Sequence, residues 1–344
     1  MGVSKYPLFF SACEYYSLLG RIKGKKHGML LIEAIEDFKL GITGDGENVG
    51  DESENEKTFR LVPRTPTPTV CSVAPPNRFI HRVKLDPKVK KQGLSAFGPL
   101  LKERFNIDLA THKVNVLNAD TGESVDPKSI PNNVCFVGGG KRELADLQNE
   151  LLKRNLYPQQ ILLTTLGSIS GLMHYAGVKK ITGPILFAEI SLTKSYVFVI
   201  KEGRIEASYP FSYGLKNIVQ AACRERKLAD EVAAYKYLTS EVGAESDEAG
   251  RLVSRMVAEL KSYIGFFEVQ NSLSVDLGFF NQLPPSLEWI GLAVSRSLGI
   301  EFLEVNYVDW LRSRSLAFNE GLLPDGKPPP RHWFGILSLM VNHF

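Results

Sequence analysis

Two stretches of this 344-residue sequence share one local plan, and that recurrence constrains the fold more than any single motif. Residues 8 to 40 read as a strand, a polar turn and further strands: "LFFSA", "YYSLLGRIK", then "GMLLIEAIEDF". Residues 185 to 212, "ILFAEISLTKSYVFVIKEGRIEASYPFS", read as apolar strands around the turn Ser191-Leu192-Thr193-Lys194-Ser195, with a second turn at Glu202-Gly203. Helical and strand patterns alternate after each, which predicts an α/β protein with two sheet-bearing lobes.

Between the two units the chain changes character several times. "TGDGENVGDESENEK", residues 43 to 57, crowds six carboxylates without the alternate spacing and terminal bidentate Glu of a calcium loop, so it reads as a solvated loop. "RTPTPTV", residues 64 to 70, reads as a proline-punctuated linker into a compact segment from about 70 to 136. There, strands near "TVCSVA", "RFIHRVKL", "HKVNVLN" and "NVCFVG" surround a helix carrying Leu94, Phe97, Leu100, Leu101 and Phe105. "VGGGKRELADLQNELLKRN" then runs strand, glycine turn, helix. The second unit is followed by a helical stretch over about 214 to 268, whose last long helix buries Leu252, Val253, Met256, Leu260 and Ile264. The strand "LSVDLGF", the breaker Pro284-Pro285, a helix with Leu287, Ile290, Val294 and Leu298, and the strand "IEFLEV" follow.

Composition narrows the class. With 44% hydrophobic and 23% charged residues the chain is expected to be folded and soluble. Its net charge of +3 includes two basic clusters, Lys23, Lys25 and Lys26, then Lys84, Lys88, Lys90 and Lys91. Neither is interleaved with aromatic residues, so both read as solvated faces and no nucleic acid is expected as a partner. The four cysteines, Cys13, Cys71, Cys135 and Cys223, form no CxxC pair, which fits reduced thiols in the cytosol. No leader is apparent in "MGVSKYPLFF", and "WFGILSLMV" at 333 to 341 is far below the ~20 residues that span a bilayer. The expectation is a chain neither exported nor membrane-spanning.

Familiar catalytic patterns fail on particular residues. Gly140-Lys141 is followed by Arg142, so a Walker loop would lack its magnesium-binding hydroxyl. Gly167-Ser168-Ile169-Ser170-Gly171 has Ile169 where a nucleophile elbow needs serine. The histidines show no metal-ligand spacing.

The order of parts resembles the actin-like ATPase (ribonuclease H-like) fold, and within it the PilM proteins of type IV pilus assembly, with the GspL cytoplasmic domain and FtsA as relatives. The likeness covers about residues 7 to 342. It rests on "LQNELLKRNLYPQQILLTT", "VFVIKEGRIEASYPFSYG", "KLADEVAAYKYL" and "LAVSRSLGIEFLEVNYVDWL", which are similar to the family's helices and strand turns. The resemblance implies a first lobe over 1–184 with the αβ subdomain of about 70–136 inserted. It also implies a second lobe over 185–325 with the helical insert of about 214–268, and a C-terminal helix over 326–344 returning to the first lobe.

In that fold a nucleotide lies between the lobes, held by two hairpins with Asp-x-Gly turns and by a later Gly-Gly turn. Aspartate orients magnesium, and glycine lets backbone amides approach the ligand. By the resemblance the first turn falls on Ser11-Ala12-Cys13, which lacks both carboxylate and glycine. The second falls on Glu189-Ile190-Ser191, with Ser195 in place of the usual threonine; the third falls on Gly278-Phe279-Phe280, putting two rings where adenosine would lie. The expectation is a non-catalytic scaffold with no bound cofactor, its second hairpin empty or holding a weakly bound anion at Ser191, Thr193, Lys194 and Ser195.

The resemblance further implies a cytoplasmic protein held at the inner membrane through a partner, the cytoplasmic tail of a PilN-like single-pass protein, alongside other platform components. The tail would dock between the first lobe's core and its insert, near Arg78 and Phe79. The alternative is a nucleotide-binding ATPase in which Glu189 orients the magnesium of ATP, which requires Phe279 and Phe280 to lie outside the cleft or to stack on adenine.

Overall fold

The computed structural model describes residues 6–38, 61–323 and 327–344; the acidic segment 43–57 lies outside them. The first half begins with β1 (Leu8–Ala12), β2 (Ser17–Lys26) and β3 (Met29–Asp37), an antiparallel meander, followed by β4 (Thr67–Val73). An inserted subdomain then comprises β5 (Phe79–Lys84), α1 (Pro87–Gln92), α2 (Phe97–Phe105), β6 (His112–Asn118) and β7 (Asn133–Gly140). α3 (Lys141–Lys153), β8 (Leu156–Leu163) and α4 (Thr164–Lys179) return to the lobe.

The second half opens with the meander β9 (Ile185–Ile190), β10 (Ser195–Lys201) and β11 (Arg204–Phe211). Three helices follow, α5 (Leu215–Arg226), α6 (Glu231–Ser240) and α7 (Asp247–Asn271), then β12 (Leu277–Asn281), α8 (Trp289–Leu298) and β13 (Glu301–Phe302). The chain closes with α9 (Tyr307–Arg312), β14 (Leu316–Phe318) and α10 (Phe334–His343). Among the described residues no helix is long and apolar enough to cross a membrane.

The strands form a six-stranded sheet, β14-β3-β2-β1-β4-β8, a five-stranded sheet, β11-β10-β9-β12-β13, and a three-stranded sheet, β5-β7-β6. Two boundaries differ from the sequence expectation. Thr67–Val73, read as linker and the start of the insert, runs parallel between β1 and β8 in the lobe sheet, so the insert starts at Phe79. β14 pairs in parallel with β3, so the chain is back on the first lobe before residue 326.

Packing explains why the elements sit as they do. β9 has strand neighbours on both sides and is buried throughout, hence the run "ILFAEI", apolar except for Glu189. The face expected for α7 is the one it buries: Leu252, Val253, Met256, Leu260 and Ile264 pack in the second lobe's core. In the insert the single expected helix is broken, because Gly93 adopts φ 73 after α1, and α2 alone seats Phe97 and Leu101 against Val134 and Phe136. Gly138 is required there, since a Cβ would lie 2.0 Å from the Lys113 carbonyl oxygen of the neighbouring strand.

One core runs beneath both lobes. It joins Phe9 and Ile22 of the first sheet, Phe187 and Phe198 of the second, Trp310 of α9, and Phe334, Leu337 and Met340 of α10. Burying each such side chain contributes about 1.5–3 kcal/mol, so α10 seals the first lobe rather than decorating it.

Candidate functional site

The turns of the two hairpins, Cys13–Tyr16 between β1 and β2 and Ser191–Lys194 between β9 and β10, meet where the lobes meet. What lies between them is a side chain of this chain. The residues after β4, "APPNR", make a turn closed by the Arg78 amide donating to the Pro75 carbonyl at 3.0 Å, and this turn delivers Arg78 into the cleft.

The Arg78 side chain has no exposed surface. Its Nη2 donates to Glu189 and, at 2.5 Å, to Ser191 Oγ; its Nε lies 3.3 Å from Thr165 Oγ1. Nη1 reaches Glu14 Oε1 at 3.3 Å and the carbonyls of Pro75 at 3.1 Å and Ala74 at 3.4 Å. The guanidinium stacks 4.4 Å above the Tyr196 ring, and the Tyr196 hydroxyl donates to the Arg78 carbonyl at 2.8 Å. One cation thus ties the β1–β2 turn, the β9–β10 hairpin and the start of α4 together.

Glu189 is fully buried and also accepts from Thr165 Oγ1 at 2.9 Å, while its Oε2 has no hydrogen-bond partner among the described residues. Burial raises its carboxyl above the ordinary range, with the Arg78 charge pulling the other way. Burial works to lower Arg78, but the Glu189 charge prevails and holds the guanidinium above its usual value. The carboxylate that would orient magnesium in the ATPase reading therefore already has its cation.

The amide that would face a phosphate is occupied in the same way. Leu192 N donates to Glu14 Oε2 at 2.6 Å, so a side-chain carboxylate takes the hydrogen bond a phosphate oxygen would accept. From the other side, α5 starts against the turn: Leu215 N and Lys216 N donate to the carbonyls of Ser191 (3.0 Å) and Leu192 (2.8 Å). Gly214 permits this approach, since a Cβ would stand 2.4 Å from the Ser191 oxygen. Ser195 Oγ donates to the Tyr213 carbonyl at 2.6 Å. Of the four groups proposed to hold an anion, Ser191 and Ser195 are committed internally.

The remaining sequence positions fall as follows. Ser11 is buried and accepts from Ser72 Oγ at 3.1 Å. Burial pushes the Cys13 thiol up to about 12, against backbone hydrogen bonds that pull it down, so it is not a reactive thiolate at neutral pH. Phe79 is buried in the core of the insert, and Arg78 in the cleft, so neither offers surface to a groove. Lys141, the lysine of the glycine turn, donates to the carbonyls of Leu109 and Ala110. No cluster of three metal-ligating side chains occurs among the described residues.

Phe279 and Phe280 do not form the third turn. Both lie on β12, whose alternation sends Phe279 against Phe187 and Phe334 in the shared core and Phe280 against Phe302 in the second lobe. The chain bends only after Asn281, with Gln282 at φ 65. The cavity beside Asn281 and Gln282 measures about 20 Å³, room for one water, whereas a small-molecule site needs at least about 300 Å³.

Three participants were not singled out from sequence: Glu14, Thr165 and Tyr196. Glu14 carried a signal, being an acidic residue inside a short hairpin turn; the other two acquire their place only through the packing of α4 and β10 on Arg78.

No protein-family profile and no curated protein matches this chain. Among solved structures, it is similar to the PilM-PilN type IV pilus biogenesis complex at 13% identity, covering 98% of this chain and 98% of that one, with a TM-score of 0.66. A Bacteroides thetaiotaomicron protein described as having an actin-like ATPase fold and unknown function shows 11% identity, 89% and 94% coverage, and a TM-score of 0.43. The cytoplasmic domain of EpsL, an inner membrane component of the type II secretion system of Vibrio cholerae, shows 11%, 97%, 94% and 0.41. The chain has the actin-like ATPase fold.

Proposed function

We propose that this chain is a nucleotide-free scaffold of an inner-membrane platform, of the type IV pilus or type II secretion-like kind, that holds the cytoplasmic tail of a PilN-like single-pass membrane protein. The carrying observation is Arg78, lodged between the two hairpins and bonded to both where the fold accommodates nucleotide. For MgATP to enter, the guanidinium must leave Glu189, and stranding one partner of a buried ion pair costs about 3–5 kcal/mol. That is a penalty of roughly two to three and a half decades in affinity before any contact with the ligand is made.

Likeness to the PilM-PilN complex over 98% of both chains supports the choice of a tail-binding role over other uses of the fold. An extended tail docks by adding to a strand edge or by placing a few side chains in pockets, so the insert, a small antiparallel sheet with β5 and β6 at its edges, is the natural receiver. The protein would then sit on the cytoplasmic side of the membrane through its partner.

The rival reading, an ATPase using Glu189, gains one point from the structure: Phe279 and Phe280 lie in the cores and obstruct nothing. Calorimetric titration decides between the two. We expect no saturable heat with MgATP or MgADP up to millimolar ligand, and saturable binding of a peptide copying the cytoplasmic tail of a PilN-like single-pass protein. Saturable micromolar MgATP binding abolished by Glu189→Ala would establish the ATPase reading, and failure of the peptide would remove the tail-binding role.

A further inference from the structure

We propose that the β2–β3 hairpin and the turn between α9 and β14 form a docking surface for an anionic phospholipid bilayer, a direct membrane contact separate from any partner's tail. The two elements are brought together by backbone pairing. Leu30 N donates to the Ser315 carbonyl at 2.8 Å, Lys25 lies opposite Leu30, and Leu30 lies opposite Leu316. Lys25 is thus two strand spacings, about 10 Å, from Leu316, which follows the turn carrying Arg314, with Arg312 at the end of α9 just before that turn.

The charges here are not balanced locally. Glu33 is shared by Arg21 at 2.7 Å and Lys23 at 3.8 Å, Glu320 pairs with Lys26 at 3.1 Å, and Asp309 pairs with Lys179 at 2.7 Å. With those carboxylates engaged, Lys25, Arg312 and Arg314 are exposed and have no ion-pair partner among the described residues.

The hairpin also has a receiving shape. An open hollow of about 690 Å³ is lined by Tyr6, Ile22 and Gly24 together with the charged groups Arg21, Lys23, Lys25 and Glu33, three cations to one carboxylate. That suits a phosphate-bearing headgroup. Val308, exposed on α9 one turn ahead of Arg312, sets an apolar side chain beside the cations, the mixture an interfacial surface uses.

The test is co-sedimentation of the full chain with vesicles of phosphatidylcholine alone and of phosphatidylcholine with phosphatidylglycerol. We expect retention only on the anionic vesicles, fading as salt rises from about 0.1 M to about 1 M and the Debye length shrinks from about 10 Å to about 3 Å. Each cation near such a surface is worth about fivefold in partitioning, so the exposed triple variant Lys25→Gln, Arg312→Gln and Arg314→Gln should bind about a hundredfold more weakly. The control triple Lys88→Gln, Lys90→Gln and Lys91→Gln, in the other basic cluster, should bind as the parent does. No retention, equal retention on both vesicle types, or equal loss in both triples overturns the proposal. So does tighter retention on a DNA oligonucleotide than on the vesicles, lost in the first triple, which would assign the surface to a polyanionic polymer.

Discussion

Replacing Arg78 by methionine keeps most of the side chain's length and removes only its charge and donors. The variant leaves Glu189 fully buried, with one oxygen already lacking a partner and the other retaining only the Thr165 hydroxyl. Breaking a buried pair in this way costs about 3–5 kcal/mol. For a chain of this length, unfolding as one unit, that lowers Tm by about 4–7 °C.

The loss depends on pH, with a definite sign. Burial already raises the Glu189 carboxyl, and without Arg78 only the Thr165 hydroxyl opposes it. The folded variant keeps its proton at pH values where the unfolded chain has released it, so its stability falls as pH rises, by about 1.4 kcal/mol per unit across that window. Urea unfolding of parent and variant from mildly acidic to mildly alkaline pH measures both the offset and the slope. A companion Arg78→Met, Glu189→Leu double variant should recover most of the loss, because apolar replacement of a buried pair is often neutral. A single variant as stable as the parent and flat in pH would refute the reasoning, since Glu189 would then not depend on Arg78.

Two further predictions concern the insert. Gly138→Ala puts a Cβ 2.0 Å from the Lys113 oxygen and 2.7 Å from Phe79 Cζ, so it should cost about 1–3 kcal/mol and speed proteolysis within residues 79–140. Gly139→Ala, whose nearest contact is Pro75 Cγ at 3.2 Å, should cost less. His81 stacks on Phe105 at 4.1 Å, and burial, helped by the Arg104 charge, lowers it from 6.5 to about 4. The unfolded chain then binds a proton that the folded insert refuses, so stability declines as pH falls from about 6.5 to about 4. Since the ring is only partly buried, the decline should be about 1–2 kcal/mol, and it should vanish in His81→Phe by thermal unfolding against pH.

The order of elements was legible because strand alternation and helix faces are local signals, as with α7 and the run "ILFAEI". That neither hairpin carries an Asp-x-Gly turn is a matter of residue identity and is read from the sequence alone. The arginine in the cleft was not: Arg78 and Glu189 are 111 positions apart, and nothing in "APPNR" tells which lobe its turn will face. Phe279 and Phe280 were assigned to a turn because a strand buried on both faces shows no alternation to mark where it ends. "TVCSVA" was given to the insert because nearness in sequence says nothing about which sheet a strand will join.

The helix that seals the shared core sets the timetable on which this molecule can be made. Phe334, Ile336, Leu337 and Met340 complete a core whose other members include Phe9, Ile22, Ile169 and Leu172. A ribosome that has finished α4 must therefore add the whole second lobe before that core can close, which at about 5–20 residues per second is roughly 8–30 s of synthesis. Throughout that interval the apolar faces of the first sheet and of α4 stand open to chaperones, to proteases and to other nascent chains. Closure of this core therefore waits on synthesis of the second lobe, and the yield in the cell depends on what attends the unfinished lobe as much as on the stability of the finished one.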